Sequence, residues 1–326
     1  MTRGTVVRVA LGVAAFLAAA AVVALLASRM SDYHQLQGAG VATFFVAILG
    51  LNILTGYTGQ ISLGHGAFMA IGAYTTAILY LHPYFGHHWG VTETIPVAAA
   101  VAFAAGVVVG VPALRLRGVY LALATFSLAL VVPALVRKFS HFTNGREGIF
   151  LPYHTGHYTY IYSWVVAGIM FLLACVVLRG RTGRAFRAVR DSEIAAASSG
   201  VSRWFYKTLA FGVSAAFAGV AGSLYVVGAE YAHPDEFMLV LSLRVLVGAV
   251  IGGLGSLWGV AVGALFVAML PTWTSSLTKS TEAPTVIQGV AVILVVILLP
   301  LGFAGLLRRL AAPVARRLGF TGSADR

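Results

Sequence analysis

Apolar stretches of about 17–25 residues recur along the chain, separated by short polar breaks, and that rhythm admits few folds. They fall at roughly 6–28, 38–54, 62–81, 93–111, 119–136, 161–178, 207–228, 239–253, 255–272 and 284–303. Most are long enough to cross a bilayer as a helix. In lipid, a helix is the structure that satisfies every backbone polar group within one segment. The expected fold class is therefore all-α: a polytopic transmembrane helical bundle of about ten spans forming a single transmembrane domain over residues 1–326. Nine and eight stand as alternative counts, because the stretches at 239–253 and 255–272 are short and meet at Gly252-Gly253-Leu254-Gly255. They read as two tilted helices or as one helix with a re-entrant piece. The first run, Val6 to Ala27 behind Arg3 and Arg8, is longer than a usual signal-peptide core and reads as a retained first span.

Composition agrees. Residues are 59% hydrophobic and 10% charged, against about a quarter charged in an ordinary soluble domain. The net charge of +12 sits at the ends of apolar segments, so it needs no nucleic acid to explain it, and membrane lipid is the surrounding partner. With the N-terminus cytoplasmic, Arg3, Arg8, Arg115, Arg117, the seven cations of 179–207, and Arg308, Arg309, Arg316, Arg317 and Arg326 face inward. Arg29, Arg137, Lys138, Arg146, Arg244 and Lys279 remain outside. That bias and an even span count put both termini in the cytoplasm. The single cysteine, Cys175, lies in an apolar segment and is silent on redox compartment.

Arg179 to Lys207 is the one long polar island, with seven Arg or Lys. Helical spacing from Thr182 to Gly200 puts Arg184, Arg187 and Asp191 on one face and Phe186, Val189 and Ile194 on others, which predicts a short charged helix. A basic cytoplasmic loop needs no further role. The run Ala195-Ala196-Ala197-Ser198-Ser199-Gly200 adds something: small side chains let another surface approach, and Gly200 can end the helix.

Gly50 to Tyr74 is the second informative stretch, with Gly50, Gly56, Gly59, Gly64, Gly66 and Gly72 among Asn52, Thr55, Gln60, Ser62 and His65. Such residues are tolerated at membrane depth where the backbone is buried in protein or lines a cavity. For the glycines close helix packing is the simpler reading. For Gln60, Ser62 and His65, a pathway or subunit-interface role stands beside a satisfied interhelical hydrogen bond. An echo links Gly59-Gln60-Ile61-Ser62-Leu63 to Gly253-Leu254-Gly255-Ser256-Leu257, which predicts an internal repeat with glycine-broken helices.

The outer loops carry His82, His87, His88, His141, His154, His157 and His233, but without Cys or acidic companions they form no ligand pattern, and no metal is expected. Arg244, inside the eighth span, is expected to pair with Glu230, Asp235 or Glu236. Arg146 and Glu147 are expected to pair with each other or with an external protein. No Walker-type phosphate loop is present, and no catalytic constellation: Ser62 with His65 is too thin a set for an intramembrane enzyme.

Arg190-Asp191-Ser192-Glu193-Ile194-Ala195-Ala196 followed by Gly200 resembles the cytoplasmic coupling loop of ABC importer permeases, in the form carried by the branched-chain amino acid permease family of LivM type. The usual Glu-Ala-Ala, three residues, Gly is altered here: Glu193 stands one place early, before Ile194. Thr55 to Phe68 is similar to that family's N-terminal signature, and Gly248 to Gly263 matches a third block. The resemblance implies a permease subunit of an ATP-driven importer of branched-chain amino acids or related amino acids, amides or urea, in the cytoplasmic (inner) membrane of a prokaryote, working by alternating access. It implies as partners a LivH-type second permease, two ABC ATPases that hold ATP and Mg, and an extracytoplasmic solute-binding protein. This chain would bind no cofactor and be no enzyme. Within loop 179–207, Arg187, Arg190, Asp191, Glu193, Ala195, Ala196 and Gly200 would couple to an ATPase. Asn52, Gly56, Gly59, Gln60, Ser62, His65, Gly252, Gly253 and Gly255 would line the pathway or a subunit interface. The alternative is an ion-coupled secondary transporter or channel, which would ordinarily need a carboxylate at mid-membrane; none lies in the interior of a stretch, Glu93 standing at the first position of 93–111.

Overall fold

The computed structural model describes residues 25–82, 89–113, 115–116, 118–152 and 154–277, with position 23 and isolated positions between 286 and 305. The first and tenth apolar stretches therefore lie wholly or mostly outside the described residues, as do His87, His88, Lys279 and the C-terminal arginines. What is described is a helical bundle: α1 (Asp32–Leu51), α2 (His65–Leu81), α3 (Val91–Ala113), α4 (Val119–Lys138), the single turn α5 (Ser140–Thr143), α6 (Gly156–Arg179), α7 (Arg181–Asp191), α8 (Glu193–Ser198), α9 (Arg203–Ala229), α10 (Leu239–Gly252) and α11 (Gly259–Leu277). Two strands, β1 (Ile149–Phe150) and β2 (Tyr231–Ala232), pair antiparallel. Among the described residues, five helices are long and apolar enough to cross a membrane (α1 with the turn that follows it, α3, α4, α6 and α9), and α2, α10 and α11 are shorter apolar helices.

Two of these helices fix the long axis. α6 leaves β1 and ends directly before α7, while α9 starts after α8 and ends at β2. The charged hairpin α7–α8 and the strand pair therefore occupy opposite ends of helices about 36–40 Å long. The first will be called the basic end and the second the cap end.

α1 and α9 are the most enclosed helices, and α3, α4 and α6 are buried along about a third of their spans. Val108, Val119, Leu130, Ile169 and Val176 of these outer helices are exposed, as suits a lipid or subunit surface. At the centre backbones meet closely. A Cβ on Gly72 of α2 would lie 2.0 Å from the Gly219 carbonyl oxygen of α9, so contact at that depth requires glycine. Thr76 donates to Ser223 across the same seam at 2.8 Å, adding a polar tie where lipid supplies none.

At the cap end, the Arg137 guanidinium pairs with Asp235, the Tyr231 hydroxyl donates to the Glu147 carbonyl, and a His233 ring nitrogen meets the Arg146 carbonyl. Phe150 stacks on Tyr231 with centroids 4.4 Å apart. Two expected pairings are corrected here. Arg146 and Glu147 engage the cap through their backbone carbonyls rather than with each other. Arg244 is exposed on α10 and makes no ion pair among the described residues; of its three expected partners, Asp235 pairs with Arg137, Glu236 accepts from Tyr225 and Glu230 accepts from the His154 N–H. Among the described residues no cluster of three His, Cys, Asp or Glu converges as a metal site.

The predicted single helix over 182–200 is also corrected: the chain breaks at Ser192, extended at φ −161° and ψ 112°, into α7 and α8. The Ser192 hydroxyl accepts from the Ala195 N–H and so caps α8, a local bond that competes with helix continuation.

Candidate coupling corner at the basic end

α1 does not end at Leu51 but continues as a π-helical turn, Asn52–Tyr57, before the chain turns back through 58–64 into α2. α10 likewise descends to Gly252, turns through Gly253 and Gly255 at φ +96° and +79°, and returns as α11. The two glycine-broken segments meet. The Asn52 Nδ2 donates to the Ser256 carbonyl at 2.8 Å, and its Oδ1 accepts from the Gly255 N–H at 2.7 Å. A Cβ on Gly56 would stand 2.3 Å from the Gly255 nitrogen, which is why the corner closes only on glycine.

Helix breaks leave carbonyls and amides without intrahelical partners, and the polar residues here supply them. The Thr55 hydroxyl donates to the Gln60 carbonyl, Thr58 to that of Leu54, and the Gln60 amide to the Thr58 hydroxyl. Ser62 accepts from the Gly64 N–H, and Thr125 of α4 accepts from that of Leu63. Asn52, Gln60, Ser62 and His65 are all buried. The structure thus brings Asn52, Gly56 and Gly255 into one contact, leaves Gly252 and Gly253 at the α10–α11 turn, with Gly252 against Gly259, and leaves Gln60 and Ser62 inside the 58–64 turn. His65 opens α2 beside Gly50, with its Nε2 buried and without a hydrogen-bond partner.

The basic hairpin reaches this corner. Arg190, at the end of α7, donates from Nη1 to the Gly56 carbonyl at 3.0 Å, while Nε and Nη2 each lie 3.0 Å from Asp191 Oδ1. Its stem runs past Gly59, at φ +72°, where a Cβ would be 3.1 Å from Arg190 Cγ. α7 is seated on α6 by Gly183 against the Leu178 carbonyl, by Thr182 donating to Val177 and by Arg187 donating to Leu178. Phe186, fully buried, meets Tyr206 of α9 edge-on.

The coupling residues named from sequence divide accordingly. Arg187 is half-buried and bonds back to α6, Arg190 is exposed over 39% of its side chain yet reaches the Gly56 carbonyl, Glu193 pairs with Lys207, and Ala196 is buried. Asp191, Ala195 and Gly200 are exposed, and nothing lies within 4 Å of where a Gly200 side chain would begin. Sequence reasoning did not single out Ile194, 78% exposed, or Trp204 and Phe205, both exposed at the start of α9. For Ile194 the available signal was a large apolar residue two positions after a serine cap, followed only by alanine, serine and glycine up to Gly200.

The family described as "Branched-chain amino acid transport system / permease component" matches residues 35–297. The high-affinity branched-chain amino acid transport system permease protein LivM of Escherichia coli (strain K12) is 35% identical over 258 residues, covering 69% of this chain and 60% of that protein, with the same figures for LivM of Salmonella typhimurium. The permease protein LivH of Escherichia coli (strain K12) is 23% identical over 291 residues, covering 81% of this chain and 92% of its own length. The chain spans about three fifths of the length of the LivM relatives. No solved structure matches. Two glycine-broken helical segments locked together beside a basic hairpin, in a bundle with several membrane-length apolar helices, thus belong to a multi-pass membrane protein of the branched-chain amino acid transport system permease family.

Proposed function

We propose that this chain is one permease subunit of an ATP-driven ABC importer for branched-chain amino acids or related small polar solutes, in the inner membrane of a prokaryote. Its partners are a second, LivH-type permease, two cytoplasmic ATPases that hold ATP and Mg, and an extracytoplasmic solute-binding protein. The bundle has about ten spans with both termini cytoplasmic, and its two glycine-broken segments are halves of a repeat. The basic end is cytoplasmic, because it carries the larger share of Lys and Arg. Transport proceeds by alternating access, the ATPases moving the hairpin as they close and the spans rocking around a cavity between the permeases.

The observation that carries this reading is the two-sided build of α7–α8. Gly183, Ala185, Phe186, Val189 and Ala196 are buried against the bundle, while Ile194, Ala195, Ala197, Ser198 and Gly200 form an exposed face of small residues around one bare isoleucine. Exposed isoleucine among small residues suits a groove in a partner. Putting tryptophan at Ala197 adds bulk to that face without touching the packed one. In the co-expressed importer, Ala197→Trp is expected to abolish solute uptake and release the ATPase during purification. An intact complex with normal uptake would refute the docking role.

A further inference from the structure

Resting on the docking reading just given, we infer that Arg190 is not a contact to the ATPase but a positioning residue that ties the α7–α8 hairpin to the glycine-broken corner, so that displacement of the hairpin is delivered to Gly56 and Gly255. Three observations converge on it. The guanidinium lies at the C-terminal end of the α1–π helix, where unpaired carbonyls gather partial negative charge, and it takes the Gly56 carbonyl. Asp191 holds the other edge of the fork, so the guanidinium, although partly exposed, is aimed from within α7. Each chain segment it passes is glycine: Gly59 beneath the stem, Gly56 at the tip, and Gly255 with a would-be Cβ 3.6 Å from Nη1.

The lever geometry follows. α7 is fixed to α6 near Gly183, where its backbone touches the Leu178 carbonyl, and Arg190 sits seven residues on, about 10 Å along the axis. A push on α8 turns α7 about that fixed end, and the largest displacement falls at Arg190. From Gly56 the corner passes it to α10–α11 through the paired Asn52 bonds to Gly255 and Ser256. Arginine suits this task and lysine only in part, since a lysine could reach the Gly56 carbonyl but could not hold the Asp191 fork at the same time.

The test uses the complete importer in liposomes, with Arg190→Ala, Arg190→Lys and wild type compared for solute moved per ATP hydrolysed. Arg190→Ala is expected to assemble and hydrolyse ATP but to lose about tenfold in solute per ATP, the scale of an ordinary coupling free energy, with partial rescue in Arg190→Lys. In a Cys175→Ser background, spin labels at Ala188, near the moving end of α7, and Leu254 at the corner should keep their separation between nucleotide-free and ATP-bound states, while the separation from Ala188 to Phe150 at the cap end changes. In Arg190→Ala the 188–254 separation should itself change with ATP. A wild-type solute-to-ATP ratio in Arg190→Ala, or 188 moving without 254 in the wild type, overturns the tie and leaves docking standing. No ATP-dependent movement of 188 at all overturns both. Failure of both Arg190→Ala and Arg190→Lys to assemble assigns the residue to folding and overturns the tie.

Discussion

Asn52→Ala isolates the junction between the two broken segments. Asn52 is fully buried and makes two bonds across 203 and 204 residues of sequence, at 2.7 and 2.8 Å, to backbone groups that no helix satisfies. Orphaning a buried backbone group costs about 1–3 kcal/mol. Gly255 and Ser256 are half-buried, so water recovers part of that, and interhelical bonds within membranes average about 0.6 kcal/mol. A net loss of about 1 kcal/mol per bond, about 2 kcal/mol in all, is therefore expected, with the void left by the amide acting in the same direction. Thr43→Ala is the internal control: Thr43 is buried on the same helix, but its hydroxyl returns to the Ala39 carbonyl within α1, so its removal orphans no group across a helix seam. Reversible unfolding of the purified permease in mixed micelles, titrated with sodium dodecyl sulfate, compares the two. If Asn52→Ala costs no more than Thr43→Ala, the junction is not held by these bonds.

Two further expectations follow from packing and charge. Gly222→Ala puts a methyl 1.9 Å from the Met69 carbonyl, so α9 and α2 must separate at a cost of about 1–3 kcal/mol. Gly40→Ala, with open space at its Cβ, should be neutral, and equal losses of monodisperse protein on size exclusion would refute the distinction. At the cap end, Arg137→Asp and Asp235→Arg should each speed amide exchange of β1–β2, and the double exchange should restore it. The partners are a third and a half exposed, so the coupling should not exceed about 1 kcal/mol, and additive effects would show that the pair does not hold the strands.

Much of the fold was legible because one signal, apolar length, is imposed by the solvent rather than by neighbours. The helices α1–α4, α6 and α9 fall where the apolar runs lie, and the basic island falls at one end of the bundle. The uncertain pair at 239–272 proves to be two antiparallel helices, α10 and α11, whose turn uses the positive φ of Gly253 and Gly255. The break at Ser192 was written in the sequence but overruled by helical periodicity, because a hydroxyl capping bond leaves no trace in an apolar pattern. Arg190 was legible as a cation on the basic side and illegible in direction. Charge patterning says which end of a helix a side chain occupies, and nothing about a carbonyl 134 residues away.

The same limit applies to the polar residues between Asn52 and His65, and it changes what their abundance means. Polar side chains at membrane depth invite a solute, yet a broken helix there must first satisfy its own backbone. Asn52, Thr55, Thr58, Gln60 and Ser62 all have an oxygen or amide committed to the turn, to one another or to the facing corner. Arg190 completes that set from the hairpin. Within this stretch the polar atom left buried without a hydrogen bond is the Nε2 of His65, so contact with solute at Asn52 or Gln60 would require the corner to open, whereas at His65 it would break no bond of that ring nitrogen.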